Sequence, residues 1–101
     1  MFPFTDLTSA KRRPAVVVSP DAFNALTEDV VLVAVTSQIT REAKTVPIEP
    51  GDATDGFIPK SSQIRLTKLF TLHSSLVVKR LCRLKNEKKD EVLRELRAFF
   101  Q

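Results

Sequence analysis

KRRPAVVVSPDAFNALTEDVVLVAVTSQ, residues 11–38, holds two short apolar segments that each border a polar cluster. Residues 15–18 are apolar, mostly β-branched and without a helical period, so they predict a buried strand. Residues 30–35 are apolar at every position, which predicts a central strand of a sheet. Polar side chains therefore lie just before the first strand and just after the second, at two neighbouring strand ends.

The composition indicates one compact domain spanning residues 1–101. A chain of 101 residues, of which 43% are hydrophobic, can bury one core but not two. Sixteen lysines and arginines exceed twelve aspartates and glutamates, which leaves a net charge of +4 at pH 7. A polyanionic partner is therefore compatible with the charge but is not demonstrated by it.

The single cysteine and the single histidine limit the chemistry that the chain can support. Cys82 alone cannot form a disulfide within the chain, and His73 alone cannot complete a metal site of cysteines and histidines. We therefore expect no cofactor and no metal ion. The first residues lack the pattern of a signal peptide, and the longest apolar segment is too short to cross a bilayer. These features predict a soluble, cytoplasmic protein with no membrane partner.

The remaining segments predict a mainly β protein that ends in a helix. Pro47 restricts the strand at residues 45–48 to a sheet edge, because proline cannot donate a ladder hydrogen bond. Asn86 is placed to cap the last helix, whose apolar stripe contains Val92 and Leu96. A helical turn, a long turn and two further strands, the first of them irregular, are predicted at residues 21–26, 50–56, 63–71 and 76–84. This order is typical of a small, mostly antiparallel β-barrel closed by a C-terminal α-helix.

Three segments resemble one protein family. KRRPAVVVSPDAFN at residues 11–24, VAVTSQ at residues 33–38 and LFTLHSSLVVKRLCRL at residues 69–84 are similar to segments of the MazF/PemK family, the endoribonuclease toxins of bacterial toxin–antitoxin pairs. The resemblance implies a small SH3-like β-barrel of the CcdB/PemK type and a homodimer whose RNA groove crosses the dimer interface. It also implies two further partners, single-stranded RNA and a cognate antitoxin whose acidic tail covers the basic groove.

The resemblance implies metal-independent, sequence-selective cleavage of mRNA that leaves 2′,3′-cyclic phosphate and 5′-hydroxyl ends. Such cleavage needs the ribose 2′-hydroxyl deprotonated, the phosphorane charge stabilised and the leaving 5′-oxygen protonated. Family members are credited with using the arginine before proline and the threonine of a Thr-x-Gln turn, which are Arg13 and Thr36 here. An alignment without gaps adds Arg65 as a third catalytic candidate. The RNA-binding candidates are Lys11, Arg12, Ser37, Gln38, Thr67 and Lys68.

One departure from the family pattern concerns a missing carboxylate. The ungapped alignment places residues 65–68 over a segment that often reads Arg-x-Asp-Gln, so Thr67 replaces an acid that would carry a proton. A competing alignment places residues 63–65 over Gln-Ile-Arg, but it needs an insertion before His73. We prefer the ungapped alignment, which leaves the role of the acid unfilled.

A second departure concerns the start of the chain. Relatives open with a strand that carries a Gly-Asp pair before a PFTDL-like segment, and that strand is absent. Either the start codon has been placed too late or an edge strand has been lost. We interpret residues 2–4 as a strand end and residues 5–10 as a polar connection. A missing first strand would leave a neighbouring strand with unpaired backbone groups, so we expect the 101-residue chain to be unstable.

Other functions remain open at this point. A catalytically decayed toxin that binds only RNA or antitoxin, or a gyrase-poisoning relative of CcdB, would share the fold, and fold alone does not separate them from an enzyme. Without the resemblance, Arg13, Thr36 and Arg65 would be ordinary polar residues of strand ends and surfaces. A generic SH3-like interaction module is less favoured, because the chain has no Trp or Tyr to line a peptide groove.

Overall fold

The computed structural model describes residues 3–7 and 13–101, within which the chain forms seven strands and two α-helices. The strands are β1 (Pro3–Leu7), β2 (Pro14–Val17), β3 (Asp29–Thr36), β4 (Thr45–Ile48), β5 (Ala53–Thr54), β6 (Ser62–His73) and β7 (Val77–Leu84). The helices are α1 (Asp21–Leu26) and α2 (Asn86–Phe99), and short 3-10 helices cover Pro50–Asp52 and Ser74–Leu76. No helix in this part of the chain is long and apolar enough to span a membrane.

All of these strands belong to one antiparallel sheet in the order β4-β6-β3-β2-β1-β7-β5. β3 has a partner on each side, which suits its continuous apolar sequence, and Pro47 lies in the edge strand β4 as predicted. The predicted mainly β class with a C-terminal α-helix is confirmed. Hydrogen bonding among the described residues leaves the sheet open rather than closed into a barrel, because the short edge strands β4 and β5 pair only inward.

β1 corrects the interpretation of residues 5–7 as part of a polar connection. Residues Pro3–Leu7 pair with β2, where Phe4 lies opposite Val16, and with β7, where Pro3 lies opposite Arg83. Residues 5–7, interpreted above as a connection, therefore belong to an interior strand. Sequence polarity was a poor guide here, since an interior position satisfies backbone groups on both sides whatever the side chains are. β2 is thus not left with an unpaired edge, and residues 2 and 8–10 lie outside the described residues.

The larger core lies between α2 and one face of the sheet. Val92 and Leu96 are buried there, as the apolar stripe of the helix predicts. The strand residues in this core that are almost fully enclosed are Val16, Val33, Val46, Ile48, Ile64, Leu66 and Cys82. Lys85, not Asn86, occupies the N-cap position and no side chain caps the helix, so the predicted Asn86 cap is wrong. Asn86 is already the first helical residue, and only the flanking residue can cap in this way.

β6 contains the predicted irregularity, and it is larger than a single extra residue. Val33 of β3 lies opposite Leu69, whereas the next residue, Ala34, lies opposite Arg65. Residues 66–68 therefore have no partner on β3 and bulge from the ladder. The bulge shifts the pairing of β6 with β3 by three residues. Arg65 is the paired residue that directly precedes the bulge.

The two glycines, Gly51 and Gly56, provide a matched test of this packing. A Cβ added to Gly56, whose φ is +117°, would lie 2.2 Å from the carbonyl oxygen of Leu81 in β7. A Cβ added to Gly51 would meet nothing within 4 Å. We expect Gly56→Ala to lower the free energy of unfolding by about 2 kcal/mol or more, through backbone strain and the clash. Gly51→Ala should change it by less than about 1 kcal/mol, and equal effects in denaturant titrations would contradict this packing.

Candidate active site

The strand register brings the three predicted catalytic residues to one face of the sheet. Ala15 of β2 lies opposite Ala34 of β3, and the same register continued by two residues places Arg13 opposite Thr36. On the other side of β3, Arg65 of β6 lies opposite Ala34. Residues that are directly opposite in antiparallel strands point to the same face, as do residues two apart on one strand. Arg13, Thr36 and Arg65 therefore occupy adjacent rows of one face.

Two cavities adjoin at Arg65. The smaller has a volume of about 120 Å³ and is lined by Thr36, Gln38, Thr40, Glu42 and Arg65. The larger has a volume of about 460 Å³ and is lined by Arg13, Ala34, Arg65, Thr67, Lys68, Leu69 and Phe70. Arg65 lines both cavities and so connects the side that contains Thr36 with the side that contains Arg13. Of the predicted RNA-binding residues, Gln38, Thr67 and Lys68 line these cavities, whereas Ser37 does not.

Thr36 ends β3 with its hydroxyl group facing a turn. Its Oγ1 accepts a hydrogen bond of 3.1 Å from the backbone N–H of Gln38. Such a contact is common for threonine at turns, and it leaves the hydroxyl proton available to donate elsewhere. Thr36 is half-buried, and its short side chain keeps the hydroxyl group close to the sheet.

Arg65 is already paired with a carboxylate that the sequence analysis did not identify. Its Nε donates to Oε2 of Glu42 at 2.9 Å, and its Nη2 donates to Oε1 at 2.7 Å. Both side chains are 29% exposed. The hydrogen bond from Arg65 lowers the pKa of the Glu42 carboxyl, desolvation opposes this effect, and the charges of Arg65 and Lys68 add to it. The same hydrogen bond raises the pKa of Arg65.

The segment that carries Glu42 is fixed to β6 by Gln63. Gln63 is 6% exposed, and its Oε1 accepts from the backbone N–H of Thr40 at 2.7 Å while its Nε2 donates to the Thr40 carbonyl oxygen at 3.0 Å. Lys44, in the left-handed region with φ 61°, accepts a hydrogen bond from the N–H of Leu66 at the bulge. No pattern of spacing could reveal these contacts, because Gln63 lies 23 residues from Thr40 and the same distance separates Arg65 from Glu42.

The larger cavity is basic. Arg13 is exposed and makes no hydrogen bond or ion pair with another described residue. Thr67 and Lys68 are exposed on the β6 bulge, where pairing with β3 is interrupted. Lys11 and Arg12, also predicted to bind RNA, lie outside the described residues. The described part of the site thus combines one unpaired arginine, one paired arginine and one lysine.

The single cysteine and the single histidine lie outside the candidate site. Cys82 is fully buried in the core, and this burial raises the pKa of its thiol. His73 lies at the end of β6, with Nδ1 2.7 Å from Ser75 Oγ and Nε2 3.2 Å from Glu28 Oε2. Within the described ranges, no group of three or more His, Cys, Asp or Glu side chains is arranged to hold a metal ion.

Comparison with known proteins identifies relatives of this fold. A model of the family described as "PemK-like, MazF-like toxin of type II toxin-antitoxin system" matches residues 3–100. No curated protein sequence matches the chain.

Solved structures give the same result for the architecture. The toxin MazF-mt6 of Mycobacterium tuberculosis superposes with a TM-score of 0.81 at 13% identity, covering 97% of this chain and 95% of the toxin. An endoribonuclease from a mycobacterial species, in complex with its cognate antitoxin, gives 0.80 at 19% identity, with 98% and 90% covered. MazE–MazF from Deinococcus radiodurans gives 0.75 at 21% identity, with 97% and 90% covered. At these identities the likeness establishes the fold.

The Arg65–Glu42 pair makes a pH-dependent contribution to stability. Because its pKa is lowered in the folded protein, Glu42 stabilises the fold above its unfolded-state pKa, and this contribution is lost as the pH falls through the folded-state pKa. We expect Glu42→Gln to destabilise the protein at pH 7, and the difference from wild type to shrink below the ordinary carboxyl range. Denaturant titrations at several pH values measure this, with Glu95→Gln, an exposed acid on α2, as the control. A difference that does not change with pH would contradict the assignment.

Proposed function

We propose, from the premise that the chain belongs to the PemK-like, MazF-like toxin family of type II toxin–antitoxin systems, that it is a metal-independent endoribonuclease acting on single-stranded mRNA. The observation that supports this activity is the convergence of Arg13, Thr36 and Arg65 on one sheet face, at two adjoining cavities. The family match makes the chain a MazF-like toxin, and the geometry supplies groups suited to phosphate chemistry. The cytoplasm, where mRNA is translated, is its proposed place of action.

The proposed reaction is an in-line attack of a ribose 2′-hydroxyl on the adjacent phosphorus. The new O2′–P bond forms as the P–O5′ bond breaks, which yields a 2′,3′-cyclic phosphate and a 5′-hydroxyl. The 2′-hydroxyl loses a proton and the leaving 5′-oxygen gains one. Negative charge grows on the non-bridging oxygens, and fixed donors aimed at them lower the barrier.

Arg13, Thr36 and Arg65 are the donors in this proposal. The planar guanidinium groups of Arg13 and Arg65 match phosphate oxygens, and the Thr36 hydroxyl can donate its unused proton to another oxygen. Lys11, Arg12, Ser37, Gln38, Thr67 and Lys68 would hold the flanking nucleotides. Glu42 is the only carboxylate among the described residues that line the two cavities, and the proposal therefore assigns these donors to stabilisation of charge.

A second candidate function is binding without cleavage. Thr67 stands where the family pattern has an acid, and the guanidinium of Arg65 is engaged by Glu42. A decayed toxin that binds only RNA or antitoxin would fit both observations. The presence of Arg13 and Thr36 together favours the enzyme.

Two protein partners are part of the proposal. A solved relative of this fold is a complex with its cognate antitoxin, and an acidic segment of such a partner would fit the basic cavity formed by Arg13, Arg65 and Lys68. A second copy of the chain is the other partner. An apolar cavity of about 290 Å³ lies between α1 and the end of α2, lined by Val18, Ser19, Pro20, Phe23, Val31, Leu69, Leu93, Leu96 and Phe100. Exposed apolar surface of this kind is commonly covered in oligomers.

The nuclease activity is tested with purified protein and single-stranded RNA in the presence of EDTA. We expect cleavage that leaves a 2′,3′-cyclic phosphate, identified by end-group analysis. Arg13→Ala should reduce kcat/KM by about a hundredfold or more, since one transition-state donor is lost. Arg94→Ala, which removes an exposed arginine from α2, serves as the control and should leave the rate near that of wild type. Activity that disappears on chelation, or equal losses in the two variants, would contradict the proposal.

The homodimer is tested by sedimentation velocity at micromolar concentration. We expect twice the mass of the chain for wild type, and a shift toward the monomer for Phe100→Glu, because Phe100 lines the apolar cavity and is 65% exposed. Phe57→Glu is the matched control, since Phe57 is 71% exposed but does not line that cavity. A wild-type monomer at this concentration would argue against the dimer.

A further inference from the structure

Glu42 occupies one edge of the Arg65 guanidinium and leaves another edge open. A guanidinium presents paired donors along its Nε–Nη2 edge and along its Nη1–Nη2 edge. Glu42 accepts from Nε and Nη2 only, at 2.9 and 2.7 Å. The Nη1–Nη2 edge is formed by Nη1 and the second N–H of Nη2, and no hydrogen bond from Nη1 to another described residue is present. This edge has the geometry that binds two oxygens of a phosphate.

The carboxylate is itself held in place by its own segment. The backbone N–H of Glu42 donates to Oγ1 of Thr40 at 3.3 Å, and both backbone groups of Thr40 are bonded to the buried Gln63 side chain. Downstream, the carbonyl oxygen of Lys44 accepts from Leu66. Glu42 therefore lies between two anchored residues, and its carboxylate can fix the plane of Arg65 rather than follow it.

We propose that Glu42 is a positioning residue for a phosphate subsite: it fixes the Arg65 guanidinium so that the Nη1–Nη2 edge receives an RNA phosphate beside Arg13 and Lys68. These residues share the cavity of about 460 Å³ with Arg65. An arginine held in advance loses less side-chain freedom on binding than a mobile one, so its phosphate contact is stronger. The choice of RNA as the source of the phosphate rests on the proposed function.

The obvious alternative makes the opposite prediction. If the carboxylate of Glu42 competes with phosphate for Arg65, its removal should strengthen binding. Simple electrostatics points the same way, because deleting an acid near a polyanion reduces repulsion. Weaker binding after loss of Glu42 would therefore be explained by positioning and not by charge.

The test uses an RNA oligonucleotide with 2′-O-methyl riboses, which binds but cannot be cleaved by attack of a 2′-hydroxyl. We expect Glu42→Gln to weaken binding about fivefold, the cost of freeing one long side chain, measured by fluorescence anisotropy. Glu42→Asp, which keeps the charge, should recover part of this loss. In an Arg65→Ala background, Glu42→Gln should cause no further weakening, because Glu42 acts through Arg65. Glu91→Gln, which removes the charge from the 2.8 Å ion pair of Glu91 with Lys88 on α2, is the matched control and should not weaken binding.

A measurement on the wild-type protein keeps the test valid if Glu42→Gln does not fold. In nitrogen-15 NMR spectra, the Nη resonances of Arg65 should shift when the oligonucleotide binds. The Nε resonance should not shift, because Nε stays hydrogen-bonded to Glu42. Tighter binding by Glu42→Gln, equal weakening with and without Arg65, or a shift of Nε on binding would each overturn the proposal. Failure of wild type to cleave normal RNA, together with binding that depends on Glu42, would remove the nuclease activity and leave the phosphate subsite standing.

Discussion

The pairing of β3 with β2 and β6 is the constraint on which both the core and the candidate site depend. Val33 and Val35 of β3 enter the core under α2, while Ala34 and Thr36 lie on the opposite face, in the rows that contain Arg65 and Arg13. A slip of one residue would exchange these faces, burying Thr36 and exposing valines. The hydrophobic effect that secures the core therefore also determines which polar residues meet at the site.

The two arginines of the candidate site differ in how firmly their side chains are held. Arg65 is held by Glu42, and Gln63 anchors the segment that carries Glu42 to β6. Arg13 is exposed and lies directly before β2. A restrained guanidinium presents its N–H groups in a fixed direction, whereas an unrestrained one can reorient toward a ligand. The carboxylate of Glu42 also offsets part of the positive potential that Arg13, Arg65 and Lys68 create.

One open edge of the sheet, strand β4, is protected by local features. Edge strand β4 has only four residues, and its Pro47 lacks an N–H to offer to another strand. Lys88 of α2 reaches this edge, where its Nζ donates to the Pro47 carbonyl oxygen at 2.8 Å and contacts Glu91 at the same distance. With 13% of its side chain exposed, Lys88 connects the helix to the edge strand. Such protection limits edge-to-edge association, while the apolar surface near Phe100 stays open to a partner.

The sequence by itself determined most of the elements, because hydrophobic period, proline and β-branching act locally: the central strand β3, the edge strand with Pro47, the irregular β6 and the stripe of α2 were all predictable. It also pointed to Arg13 and Thr36 through a resemblance carried by adjacent residues. Only the tertiary structure decided that residues 5–7 form an interior strand and that Glu42 pairs with Arg65, whose chain separation is 23 residues. Both depend on backbone and side-chain partners that lie far away in the chain, and a local pattern contains no information about those partners.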